Sequence, residues 1–487
     1  MKRFFGILIL MVWVVACGRA PMEGYRQRPQ LPQMFPDYAD ITIPCNIAPL
    51  NFEIDSVDEI EVLVKGEQDW QFTSRGATMR FKERKWREML EAECGNELIV
   101  HVTTRQGNEN CGWRSFTWTV SEDRIDNYIS YRLIEPAYEV WNELQIIERN
   151  VENFDERLLG DNISTDRSCM NCHTSNRAEQ PATFMHVRGK RGGTIYSHDG
   201  EVRKINTATD RTSGSAVYGE IERGGRYGVF TTADIVPILH LDAHERMEVY
   251  DRSSDLIVID FEEGTVSDNE AVSGAEYQET FPAFAADGRT VYFCRAVSRP
   301  QPDSITTMMY SLCAVDFDPQ TGRLGDEVRT VIDAESVGRS FSFPKCSPDG
   351  RWLMVTVSNY GTFPIWHSET DLWLVDLESG AIDTLPEVNG RYSDSYHSWS
   401  STSRWVTFAS KRDDRVYGRA YIAHVDSLGQ VSRPFVLPQR DPSRYRTTLK
   451  SMNIPELYQQ AESYNARSVR KIYFQTEAEQ FEYKENQ

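Results

Sequence analysis

One pattern, repeated in the second half of the chain, constrains the fold more than any other feature. Phe281–Phe293 (FPAFAADGRTVYF) returns as Phe343–Val355 (FPKCSPDGRWLMV), and a third copy, worn at its turn, runs from Ser398 to Phe408. A weaker fourth copy is Gly224–Phe230. Each copy reads as two strands joined by an Asp-Gly turn, where the glycine takes up the positive φ of a tight hairpin. In the third copy Thr402-Ser403 stands in place of the Asn/Asp-Gly pair. An outer strand such as Asp371–Leu377 follows, then Ser379-Gly380. Aligned positions lie 53 to 63 residues apart, enough for one four-stranded blade with its loops. Such a chain closes its blades round an axis as a β-propeller. We expect five or six blades over residues 191–450, with Gly193–Asn206 as the start of an additional one. The polar stretch 451–487 is expected to be a tail that frays.

The remainder reads differently. Residues 38–125 alternate in strands: Ile60, Val62 and Val64, then Leu98, Val100 and Val102. Lys82 to Glu93 reads as one short helix, and an immunoglobulin-like β-sandwich is expected. Between 126 and 190 the period changes. Trp141, Leu144, Ile147, Val151, Phe154 and Leu158 recur at helical spacing, and Gly160-Asp161 stops the run. The expected class is therefore mainly β: an N-terminal sandwich, a short helical segment, and a C-terminal propeller.

That segment carries the chemistry. Cys169-Met170-Asn171-Cys172-His173 is a C-x-x-C-H match. Two thiols at this spacing reach the two vinyl groups on one porphyrin edge, and the next residue ligates the iron. The reading is one covalent haem c, with Cys169 and Cys172 as thioether anchors and His173 as proximal ligand. Either His186 or Met185 could complete the iron, or one face could stay open to a small ligand. Arg188 and Lys190 could pair with the propionates. A disulfide between Cys169 and Cys172 competes. So does zinc, which would need two further ligands that His186 and His198 do not supply at the usual spacing.

The N-terminus fits export. Lys2 and Arg3 precede an uncharged apolar run, Phe4 to Val15, too short to span a bilayer comfortably. It ends in Val14-Val15-Ala16-Cys17-Gly18, which resembles a bacterial lipobox and so implies cleavage before Cys17 and lipid on its thiol. Residues 18–37 read as a flexible tether. The mature chain is then expected in the cell envelope, facing the periplasm, held to the membrane by its lipid alone. With 53 Lys+Arg against 73 Asp+Glu the net charge is −20, which disfavours nucleic acid as a partner. Six further cysteines remain: Cys45, Cys94, Cys111, Cys294, Cys313 and Cys346. Cys94 with Cys111, and Cys294 with Cys313, are plausible disulfide pairs, as are free thiols.

The repeats resemble those of TolB-type propellers, a likeness that favours six blades. With the haem motif, three further stretches, Ile41–Phe52, Tyr131–Trp141 and Ser393–Trp399, resemble uncharacterised bacterial envelope proteins that carry a TolB-like propeller and one C-x-x-C-H. The resemblance implies fold and haem rather than a reaction. The expected function is electron transfer or redox sensing by a monohaem lipoprotein whose propeller docks a redox partner or envelope complex. The alternative is an envelope scaffold or protein- or glycan-binding propeller in which haem is structural or absent; a haem enzyme with an open iron is a third. His240 and His244, Trp366 and His367, and Tyr396 and His397 are weaker candidates. No G-x-S-x-G nucleophile elbow occurs.

Overall fold

The computed structural model describes residues 22–68, 70–136, 142–176, 181–299, 305–485, and among these the side chains of all but Asn171 and Cys172. The export segment, Cys17, Trp141 and part of the expected tether lie outside the described residues.

Six sheets form the blades of a propeller, four of them four-stranded and two, blades 2 and 3, five-stranded. Blades 4, 5 and 6 begin at Tyr277–Phe284, Ser340–Cys346 and Asp394–Trp399, the strands that the repeats marked. Blade 3 runs from Gly219–Ile221 to Thr265–Asp268, and blade 2 from Met170–Ser175 to Glu201–Asn206. Blade 1 is assembled from both ends of the propeller. Its outer strands are Tyr128–Ile134, Leu144–Asn150 and Glu156–Asp161, and its inner strand is Ser451–Tyr458, paired antiparallel with the first of them.

Two expectations fail here. The helix predicted before the haem motif is absent, because Leu144–Asn150 and Glu156–Asp161 are strands. Leu144 and Ile146 bury one face of the first strand while Ile147 buries the other, and a short apolar run buried on both faces mimics helical spacing. The propeller therefore starts near 128 rather than 191. Nor is 451–487 a fraying tail. Beyond the inner strand it forms the helix Ala466–Gln475, then Glu479–Gln480 and Glu482–Tyr483, which extend the outer edges of blades 2 and 3 in parallel.

The N-terminal strands form one seven-stranded sheet and a separate two-stranded ladder, not two facing sheets of an immunoglobulin-like sandwich. The helix Glu83–Ala92 supplies the opposing apolar layer. Trp86, Met89 and Leu90 are buried, and Trp86 meets Trp118 edge-on at 5.4 Å. The same core continues into blades 5 and 6 through Trp352 and Trp405, and the Trp405 indole donates to the Asp123 carbonyl at 2.9 Å.

The cysteine pairs also differ from expectation. Cys313 lies opposite Phe293 rather than Cys294, so the two thiols occupy opposite faces of blade 4 and both are free. Cys111 pairs across its hairpin with Thr104, whereas the Cys94 side chain is a hydrogen-bond partner of Cys45. In oxidising buffer we expect Cys45 and Cys94 to close a disulfide, worth about 2–4 kcal/mol. Mass mapping should find that peptide pair two hydrogens lighter; a bond to Cys111 instead would refute the assignment.

Candidate functional site

The inner strands share one irregularity. In blade 4 the pairing steps from Thr280 to Ala283 while the neighbouring strand advances by only two residues, so Phe281-Pro282 bulges out of the ladder. The same step isolates Phe343-Pro344 in blade 5, Tyr396-His397 in blade 6 and Ile454-Pro455 in blade 1. The first residue of each pair has φ between 51° and 54°, a left-handed conformation that re-aims its side chain. Proline is tolerated at the second position because a bulged residue need not donate to the ladder.

Blade 2 carries the same bulge, and it falls inside the haem motif. Pairing steps from Asn171 to Thr174, so Cys172-His173 occupies the register position of Phe281-Pro282 and Tyr396-His397. His173 consequently lines the central channel, together with Phe281, Phe343, Tyr396, His397 and Glu456. Aromatic rings from successive blades follow one another along this wall. Tyr218 lies 5.0 Å from Phe281, Phe281 4.3 Å from Phe343, and Phe343 4.7 Å from Tyr396.

His173 is buried, and among the described residues neither ring nitrogen has a hydrogen-bond partner of ordinary geometry. Burial, helped by the nearby Arg132 guanidinium, pushes its pKa down to about 3, against only the backbone of Ile454. The imidazole is thus neutral at ordinary pH. A buried histidine held by no more than one such backbone contact is costly unless something else binds it. The strand is held just beyond it: Glu456, on the closing strand, accepts from the Thr174 hydroxyl at 3.2 Å and the Ser175 N–H at 3.0 Å.

Cys169 lies just before the strand and lines a second, apolar cavity that meets the channel at Tyr218. Burial raises its pKa, while Arg132 and Arg188 pull it down. Its carbonyl accepts from the Arg188 N–H at 2.9 Å. Arg132 thus stands close enough to influence both Cys169 and His173. Cys172 shares the strand; its side chain is outside the described residues.

The other candidate ligands face elsewhere. Met185 packs with Met170 and Leu144 toward blade 1. The His186 Nδ1 lies 3.1 Å from the Thr194 hydroxyl, and burial lowers its pKa to about 4. Neither lines the channel or the second cavity. Arg188 does line the cavity, whereas Lys190 is exposed on a turn. His240 and His244 sit in the loop of the long blade 3 hairpin, not on a helix. His367 is buried against Glu248 at 2.6 Å. Among the described residues no three metal-ligating side chains cluster. Sequence reasoning missed Arg132, Lys411 and Glu456, which meet the motif only through propeller closure. The resemblance of Tyr396-His397-Ser398 to Cys172-His173-Thr174 was the one available signal for the shared bulge.

No family model and no curated protein matches the chain. Solved structures similar in shape include a variant of the Synechocystis apocarotenoid oxygenase, 10% identical at a TM-score of 0.36, covering 85% of this chain and 95% of that one. The periplasmic gluconolactonase of Pseudomonas aeruginosa is 14% identical at 0.34, covering 64% and 96%. An endo-arabinanase from Bacillus licheniformis is 12% identical at 0.31, covering 53% and 97%. None of these likenesses bears on the chemistry of the site.

Proposed function

We propose that the chain is a lipid-anchored envelope protein whose propeller carries one covalent haem c, held by Cys169, Cys172 and His173, and that it serves electron transfer or redox sensing. The observation that carries this reading is His173: a buried, neutral imidazole that makes no hydrogen bond of ordinary geometry among the described residues, on the strand that follows Cys169. The donor types suit the group: two thiols and an imidazole lie within five residues, Cys169 just before the strand Met170–Ser175 and His173 at its bulge.

When bound, the haem supplies a one-electron couple at an iron ligated through imidazole nitrogen. The chain's own residues do the rest. Burial keeps His173 unprotonated, so its lone pair is available. Glu456 fixes the strand through Thr174 and Ser175. The rings of Phe281, Phe343 and Tyr396 exclude water from the channel, which leaves the outer faces of the blades to dock a partner.

The test is the intact mass and visible spectrum of the mature chain, expressed in a host with a haem-attachment system. The expected product carries one haem and a Soret band, and C169A/C172A loses both. A colourless protein weighing polypeptide and acyl chains alone would overturn the haem reading and leave a binding propeller. Lipid on Cys17 is checked in the same spectrum, since C17S should lose the acyl mass.

A further inference from the structure

The second cavity has a chemistry of its own. The blade 3 hairpin, Tyr227–Leu239 and Met247–Asp260, lines it and reaches the blade 5 loop through Glu248–His367 and Glu245–Ser368 contacts. Its walls are largely apolar: Met247 and Val249 from the hairpin, with Phe363, Ile365 and Trp366 from the loop. Its volume of about 240 Å³ is below the roughly 300–1,000 Å³ of pockets that take drug-sized ligands. It suits a small one.

Into this space the chain places an amine. Lys411 follows the blade 6 strand Trp405–Ser410, and its backbone N–H donates to the Ser393 carbonyl at 2.9 Å, which fixes where the side chain begins. The residue lines the cavity and is 7% exposed. Among the described residues its Nζ is buried with no hydrogen-bond partner, and it stands 3.1 Å from the centroid of the Trp366 ring. Burial, helped by Arg246, lowers its pKa well below the ordinary lysine range, against the pull of Asp414 and Glu245. The other ionisable groups lining the cavity are Arg132, Arg188, Glu135, Cys169 and Tyr218. Of these the carboxylate, Glu135, is engaged by the Asn142 amide at 3.3 Å and the Glu143 N–H at 3.2 Å. A lysine without its proton carries a free lone pair, and desolvation in an apolar pocket is what turns such an amine into a nucleophile.

A neutral amine offers little to an anion, but it adds readily to a carbonyl. We propose that this cavity binds a small apolar aldehyde and that Lys411 captures it as a Schiff base. The Nζ lone pair forms a bond to the carbonyl carbon. Both amine hydrogens then leave with the carbonyl oxygen as water, and a C=N double bond remains; nothing is oxidised or reduced. The apolar walls hold the body of the aldehyde and, by excluding water, slow hydrolysis of the imine. The proposal goes beyond the haem reading and does not depend on it.

The test treats the full mature chain with benzaldehyde and cyanoborohydride, which fixes imines as secondary amines, and maps the label by peptide mass. At neutral pH only roughly one ordinary lysine in two thousand is unprotonated, so Lys411 should carry at least about tenfold more label than any other lysine. Raising the pH by about two units should increase labelling of the other lysines steeply and that of Lys411 little. Excess benzyl alcohol, the same body without the carbonyl, should protect Lys411 alone. Lys411→Met should lose the preferred label; should that variant not fold, the protection measurement on the parent decides. Labelling of Lys411 no faster than that of exposed lysines, or unaffected by benzyl alcohol, would overturn the proposal. So would an unlabelled Lys411 in a cavity that binds benzoate better than benzyl alcohol, since that is an anion site. A colourless chain labelled at Lys411 keeps this site and loses the haem; a haem-bearing chain unlabelled there does the reverse.

Discussion

A chain ending at Lys450 is expected not to fold cooperatively. The segment it lacks supplies the inner strand of blade 1, Ser451–Tyr458, whose partners run from Tyr128 to Ile134. Met452, Leu457 and Tyr458 are buried at 1% exposure or less. Each such side chain contributes about 1.5–3 kcal/mol. Their removal also strips the ladder from one edge of Tyr128–Ile134 and exposes the face of Asp394–Trp399 that packs on the closing strand. The same truncation removes the two Glu456 hydrogen bonds to blade 2, and the Glu479–Gln480 and Glu482–Tyr483 strands that clasp blades 2 and 3. Together these losses match or exceed the roughly 5–15 kcal/mol by which a whole domain is stable. A chain ending at Glu477 keeps the closure and should fold with a lower melting temperature. Near-ultraviolet dichroism and limited proteolysis of both truncations distinguish them. A cooperative melt of the shorter chain within a few degrees of the parent would show that the ring does not depend on this strand.

That dependence also explains which parts of the fold could be read in advance. Blades 4 to 6 are contiguous in sequence, and Asp287-Gly288 and Asp349-Gly350 mark their hairpins, so a local period reveals them. Blade 1 takes its inner strand from a segment more than three hundred residues away, and no local period contains both pieces. Its strand Leu144–Asn150 is buried on both faces, which erases the alternation that distinguishes strand from helix. The site divides in the same way. The spacing of Cys169, Cys172 and His173 was legible because its chemistry is local. That His173 stands at the bulge shared by Phe281-Pro282 and Tyr396-His397 was not, since the motif replaces the aromatic that identifies the repeat elsewhere. Arg132, Arg188 and Lys411 come from blades 1, 2 and 6, and only ring closure brings them to one cavity.

The closing segment also sets a proton-linked term in stability. Glu462 follows the inner strand and is 6% exposed, with its carboxylate accepting from the Thr183 hydroxyl at 3.2 Å. Burial, reinforced by the neighbouring Glu148 carboxylate, pushes its pKa up to about 8. Glu148 is already committed: it accepts from the Tyr458 hydroxyl at 3.0 Å, the Glu462 N–H at 2.7 Å and the Arg157 Nε at 2.9 Å. In the unfolded chain Glu462 ionises near the ordinary value of about 4.3. Folding therefore takes up a proton between those limits. The stabilisation is fully present below the lower limit and is lost as pH rises through the upper one, at about 1.4 kcal/mol per pH unit across the window. Glu462→Gln removes the proton but keeps the shape, so its stability should gain on the parent steadily from about pH 5 to pH 8. Glu279 and Asp251, whose pKa values burial raises to about 8 and about 7, titrate in both proteins and cancel in the difference. Urea unfolding of parent and variant at five pH values measures that difference. Parallel curves would mean that Glu462 is ionised in the folded protein and that Arg157 or water pairs it after all.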